Sequence, residues 1–391
     1  MIIMAAFTLA GCVNGRQGDK IPELDGQYTN AAIRTGAPAV IPVKVTPFID
    51  VSKGMSGYYS QSGTQLQRDV WDVIWLMDGK WRVDSVVLLS EQAPKHIDIN
   101  TFHDKLCAGK LLEDDNTSIP QMLERIVCQC DTTEDMVAVL ISDMKYSPPK
   151  NKSPQVLLKQ YSTEIEKIFS KKNIAASLIC AVSEYNSKSQ KCDTSPYYYL
   201  VIGNPERIAP VRNFIVRRLK NNDSFVDVSE KGVEYGQTLT ARHEKAKGVM
   251  PLDKDNLIYG GYKVTDTDTI AVTLKVDMSP YPQSLRNDDT LNHYLLAGSS
   301  GFAKCDVSGI MESDSTALLT ISVYNFKEKT QTITVSLVGF NPSSARGIDR
   351  FFDAVKEGDC DKTYSINHFF EGFSDGRQLQ STVEIQIKKG R

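Results

Sequence analysis

The sequence predicts an α/β protein: a doubly wound, mainly parallel sheet followed by a β-rich, sandwich-like domain. Three observations carry that expectation. As far as about Leu219, wholly apolar segments alternate with segments whose apolar residues recur every three or four positions. Past Asp223, apolar and polar residues alternate singly, the pattern of half-buried antiparallel strands. A chain of 391 residues also exceeds one typical domain, so two cores are expected. The expected division is an export signal over 1–12, a tether over 13–40, an α/β domain over 41–220 and a β-rich domain over 221–391.

Composition is that of an ordinary globular protein, with 41% hydrophobic and 24% charged residues. Formal net charge is −3 with no long basic run, which argues against nucleic acid as a partner. Residues 1–12, M-I-I-M-A-A-F-T-L-A-G-C, are apolar but too short to span a bilayer and read as the hydrophobic part of a signal peptide. Leu9-Ala10-Gly11-Cys12 resembles the lipobox of bacterial lipoproteins, which implies lipidation at Cys12 and a membrane-tethered place in the cell envelope, on its periplasmic or surface face. No Lys or Arg precedes Cys12, a departure from that pattern. Gly, Gln, Asn and charged residues from Val13 to Tyr28 read as a flexible tether. With Cys12 lipidated, seven cysteines remain, an odd number. Cys180 with Cys192 and Cys305 with Cys360 are expected either as disulfides or as buried thiols.

The first strand is V-K-V-T-P-F-I-D-V, ending near Val51, with apolar residues on both faces. An amphipathic helix follows over 61–77, carrying Leu66, Val70, Val73, Ile74 and Met77. The Asp78-Gly79 turn leads into a second strand over 81–90, completing a βαβ unit, and a polar connection runs over 91–116. Helices are expected over 120–130, 153–172 and 205–219, and strands over 135–143, 174–183 and 197–203. In the second half, 270–276, 317–326, 332–340 and 381–387 alternate apolar with polar as strands, with a helical patch over 347–355.

The chemistry-bearing residues gather where strands end. Asp50-x-Ser52-x-Gly54 follows the first strand, Asn116-Thr117-Ser118 opens a helix, and Ser142-Asp143 closes the third strand. In an α/β sheet the carboxyl ends of the strands are where ligands bind. This order resembles the von Willebrand factor type A family, whose metal-ion-dependent adhesion site opens with Asp-x-Ser-x-Ser and adds a Thr and a second Asp from later loops. The resemblance covers roughly 41–219 and implies that Asp50, Ser52, Thr117 and Asp143 ligate Mg²⁺, or Mn²⁺ or Ca²⁺, and bind a protein partner through an acidic residue that completes the coordination. Gly54 departs from the motif by removing a hydroxyl, for which a water or Ser56 would have to substitute.

The physical logic holds without the family. Mg²⁺ takes six hard oxygens, so two carboxylates and two hydroxyls leave positions for water and a partner's oxygen. The competing reading is that Asp50 and Asp143 merely cap strand ends and helix starts. An acidic run, Glu113-Asp114-Asp115, precedes Thr117 and reads as a solvated loop. Arg207, Arg212, Arg217 and Arg218 suit an anion site, a solvated face or a contact between domains, and the five histidines show no metal-ligand spacing. No enzyme motif is satisfied: Asp50-Val-Ser52-Lys53-Gly54 lacks the first Gly of G-x-S-x-G, and neither a P-loop nor a dinucleotide fingerprint occurs. The chain is therefore expected to act by binding, with a metal-free assembly lipoprotein as the alternative and a hydrolase using Ser52 or Asp50 as the remoter one.

Overall fold

Fifteen segments of a computed structural model are described: 44–59, 63–90, 93–111, 118–133, 135–146, 154–171, 173–188, 190–222, 226–233, 235–261, 269–326, 328–343, 349–352, 359–374 and 376–389. The expected signal peptide and tether, Cys12 and Thr117 lie outside these residues.

The first half builds β1 (Lys44–Asp50), α1 (Ser56–Tyr59), α2 (Gln65–Asp78), β2 (Val86–Leu89), β3 (Lys95–Ile97), α3 (Ile99–Cys107), α4 (Ile119–Thr132), β4 (Met136–Ser142), α5 (Pro154–Ile168), β5 (Ala175–Asn186), β6 (Lys191–Gly203), α6 (Pro205–Asn221) and β7 (Asp227–Lys231). Local chemistry fixes the helix starts. Thr64 and Gln67 cap α2 reciprocally, Asp98 accepts the Thr101 amide at the start of α3, and Asn204 caps α6 ahead of Pro205.

These strands form one seven-stranded sheet in the order β3-β2-β1-β4-β6-β5-β7. Its apolar residues divide by parity between two faces. Val45 and Ile49 of β1 join the helices α2, α3 and α6 in one core, while Phe48 joins α4 and α5 in the other. The sheet is mixed, which corrects the mainly parallel expectation. Only β1–β2 and β1–β4 are parallel, whereas β2–β3, β4–β6, β5–β6 and β5–β7 are antiparallel. The reason is that Asn186 at the end of β5 pairs antiparallel with Lys191 at the start of β6, and the four residues between them are too few for a crossover that would return the chain to a parallel start.

The second half contributes β8 (Ala241–Lys247), β9 (Met250–Asp253), β10 (Ile258–Gly261), β11 (Ile270–Asp277), α7 (Asp288–Tyr294), β12 (Leu295–Ser299), β13 (Lys304–Ser313), β14 (Thr316–Tyr324), β15 (Thr330–Val338), α8 (Ile366–Phe373) and β16 (Gln380–Lys389). A five-stranded sheet, β12-β15-β16-β10-β9, and a four-stranded one, β13-β14-β11-β8, share a single apolar core that includes Val272, Leu274, Ile321, Val335 and Ile385. The β-rich expectation for this half holds.

The chain crosses the boundary placed near residue 220 more than once. Strand β7 completes the first sheet at its β5 edge, and α8 lays Ile366, Phe369 and Phe373 against Tyr161, Ile165 and Phe169 on the first sheet's second face. A disulfide joins Cys192 on β6 to Cys360, with Cα atoms 6.0 Å apart. Cys180, which is buried, and Cys305 are in no disulfide, so neither expected pairing forms. Residues 41–391 accordingly make one compact unit.

Candidate functional site

Strand β1 lies between β2, to which the chain goes next, and β4, to which it returns after α4. The order therefore reverses between β1 and β4, and the crevice beyond their carboxyl ends is where an α/β sheet accommodates a ligand. Asp50 ends β1, and Asp143 follows the last residue of β4.

The sequence folds the two ends toward each other through short local bonds. The Ser52 amide donates to Asp50 Oδ1 at 2.9 Å and begins a 3₁₀ turn over Lys53–Met55. Ser142 Oγ donates to Asp50 Oδ2 at 2.7 Å and accepts the Met144 amide at 3.0 Å, tying the end of β4 to the end of β1. Met144 sits at φ 53°, so the chain bends sharply just past Asp143. The Lys145 amide donates to Asp143 Oδ1 at 3.1 Å, while Asp143 Oδ2 is buried without a hydrogen-bond partner.

Two carboxyls thus lie buried at the same edge of the sheet. Asp50 is 1% exposed and Asp143 2% exposed. Burial and then the charge of Asp143 push the Asp50 carboxyl up to about 6, against the hydrogen bonds from Ser142 and Ser52. The Asp143 carboxyl is raised as well, mainly by burial, with Lys145 acting in the opposite direction.

Gly54 has a further role that composition alone does not reveal. A Cβ at this position would stand 2.7 Å from Asp143 Oδ2, so the Asp143 carboxylate reaches into the space that a serine side chain at 54 would claim. Gly57 makes a similar allowance for the Tyr185 ring, into which a Cβ there would run. Tyr58 then anchors the turn from below. Its hydroxyl donates to Pro196 O at 2.6 Å and lies 2.7 Å from Ser195 Oγ, which in turn bonds Cys360 O. The segment around the disulfide therefore braces the loop that carries Ser52 and Gly54.

Asp50, Ser52 and Asp143 lie at one edge of the sheet, and Thr117 falls outside the described residues. Ser142 is the participant that the motif did not supply. The Ser-Asp ending of the β4 segment was its visible signal. The donor set fits a small hard cation in kind, with two carboxylates, nearby hydroxyls and one carboxylate oxygen lacking a partner. It is sparse in number: among the described residues no group of three or more His, Cys, Asp or Glu side chains stands ready to hold a metal.

Several of the remaining candidates are engaged elsewhere in the fold. Arg212 is buried in an ion pair with Glu230, and Arg207 pairs with Asp135 at 2.7 Å. His103 stacks on Trp71 with centroids 3.8 Å apart, His96 lies 3.1 Å from Ser85 Oγ, and Tyr197 to Tyr199 are packed in the sheet. Cys128 is exposed and Cys130 buried, as opposite faces of α4 require. Among the described residues no helix is long and apolar enough to cross a membrane. Comparison with protein-family models, with curated proteins and with solved structures finds no match to this chain.

Proposed function

We propose that the chain is an exported bacterial lipoprotein, anchored through Cys12, whose α/β half is a von Willebrand factor type A-like domain acting by binding rather than catalysis. Its ligand is a protein or surface group, engaged through a divalent cation held between Asp50 and Asp143 with hydroxyl help from Ser52 and Thr117. The carrying observation is the buried pair itself: two carboxyls at the β1/β4 crevice, both with raised proton affinity, and Asp143 Oδ2 without a hydrogen-bond partner. Burying like charges together is costly unless a proton or a cation neutralises them. A bound Mg²⁺ would supply that neutralisation and retain net positive charge toward a partner's carboxylate.

Titration calorimetry of the full chain with Mg²⁺ and Mn²⁺ after chelation tests this. Binding with a dissociation constant in the range of about 0.1–1 mM, abolished by Asp143→Ala, is expected for so sparse a donor set. Absence of heat up to tens of millimolar Mg²⁺ would leave the second reading.

That second reading is a metal-free assembly lipoprotein, favoured by the closed crevice and by Gly54, whose missing side chain makes room for Asp143 rather than for a ligand. In that reading the carboxyl pair persists by sharing a proton, and the outer surface of the domain carries the binding.

A further inference from the structure

We infer that one side of the second half, formed by the edge strands β8 and β9, docks onto an anionic lipid surface. β8 ends the four-stranded sheet and β9 the five-stranded one, and Gly248, at φ 80°, turns the chain from one to the other. Neither strand belongs to the sheet that carries the Asp50–Asp143 crevice, and no cation there is required.

β8 supplies the charge. It pairs with β11, whose Val272, Leu274 and Val276 point into the core and whose Ala271, Thr273 and Lys275 therefore point out. Lys247 and Lys245 stand opposite Ala271 and Thr273 and share that outer face. Simple alternation from Lys245 would turn Arg242 inward. Glu244, however, has no counterpart on β11, because Lys245 pairs with Thr273 and His243 with Leu274. This bulge returns Arg242 to the outer face, opposite Lys275. Arg242, Lys245 and Lys247 are exposed, and none has an ion-pair partner among the described residues. Against these three bases the strand holds one acid, Glu244.

β9 supplies the apolar side chains. Pro251 pairs with Tyr259, which is buried in the core, so Met250 and Leu252 on either side of it point outward. They are 55% and 59% exposed, and Met250 follows Lys247 by three residues, a reach of about 10 Å. Neither strand suits the addition of a further strand. Pro251 offers no amide within β9, and the bulge breaks the regular spacing of β8. The surface therefore acts through its side chains. A row of unpaired cations beside two exposed apolar residues matches a bilayer interface, where anionic headgroups lie directly over acyl chains. A soluble polyanion would satisfy the cations and leave Met250 and Leu252 in water. Because the chain as a whole carries −3, attraction to an anionic surface has to be local to such a patch.

Co-sedimentation with sucrose-loaded vesicles tests the docking. Residues 13–391 are used, which keep the whole compact unit from 41 onward and exclude both the apolar N-terminus and any acyl chain. Vesicles of phosphatidylcholine are compared with vesicles holding about one third phosphatidylglycerol, in chelating buffer at low ionic strength. With two net charges at the surface, partitioning should be roughly 30-fold stronger on the anionic vesicles and should weaken as salt is added. Arg242→Gln, Lys245→Gln and Lys247→Gln combined should remove that preference. Met250→Ser with Leu252→Ser should lower binding to both kinds of vesicle by about tenfold and keep the ratio between them. All five side chains are exposed, so both variants should melt as the parent does. Equal partitioning to the two kinds of vesicle, or an anionic preference that survives the triple substitution, would overturn the docking and leave the basic residues as guards against strand pairing. A serine double variant that binds as the parent does would overturn it too, and would assign the cations to a soluble polyanion.

Discussion

At the scale of single residues, Asp50 and Asp143 account for what the crevice can do. The Asp50 carboxyl titrates near 6 in the fold against a usual value of 3.8, so between those values the native state holds a proton that the unfolded chain has released. Its folded value is the higher one. Its contribution is therefore most favourable at acid pH and is lost as pH rises through 6, by on the order of 3 kcal/mol. In chelating buffer, melting temperature should accordingly fall between about pH 4.5 and pH 7. Asp143→Asn removes the like charge; it should flatten that fall, stabilise the chelated protein at pH 7 by about 1 kcal/mol, and abolish any response to Mg²⁺. A variant less stable than the parent at pH 7 in chelator would show that the two carboxyls do not repel. The placement of Asp50 and Asp143 at strand ends was legible because a carboxylate after an apolar strand is a local pattern. The encroachment of Asp143 on Gly54 was not, because it depends on the bend at Met144 and the bond from Ser142, both set by the neighbouring strand.

At the scale of elements, periodicity located β1, α2, β2, α4, β4, α5 and α6 to within a few residues, because each has a long apolar face. It passed over α3, whose Ile99, Phe102 and Leu106 lie in a stretch that is otherwise polar, and α8, which borrows its apolar partner from α5. Strand direction was the larger miss, since apolar content says nothing of which way a strand runs and the β5–β6 hairpin turns on few residues. Disulfide pairing was equally illegible: Cys192 and Cys360 are 168 positions apart and meet only through the tertiary fold. A cross-link closing so long a loop restricts the unfolded chain strongly. Cys192→Ser should lower unfolding free energy by roughly 3 kcal/mol, seen as a lower denaturant midpoint. An unchanged midpoint in a variant that folds would mean the bridge contributes little.

At the scale of the whole molecule, the two halves share more than a linker. β7 pairs with β5, α8 covers α5, and the Cys360 carbonyl braces the loop beside the crevice through Ser195. A fragment ending at Asn222 would leave the β5 edge unpaired and the apolar face of Tyr161, Ile165 and Phe169 uncovered. It should be poorly soluble, whereas the chain from 41 to 389 should unfold in one cooperative step; a soluble, well-folded 41–222 fragment would show the first sheet to be self-sufficient. That integration makes the intact chain the right object for the decisive measurement, anomalous diffraction from crystals of the full protein grown with Mn²⁺. The account predicts one strong anomalous peak between the Asp50 and Asp143 carboxylates, with ligating oxygens at roughly 2.1–2.2 Å. Well-ordered carboxylates at the crevice with no peak between them, at millimolar Mn²⁺ and pH above 7, would contradict it.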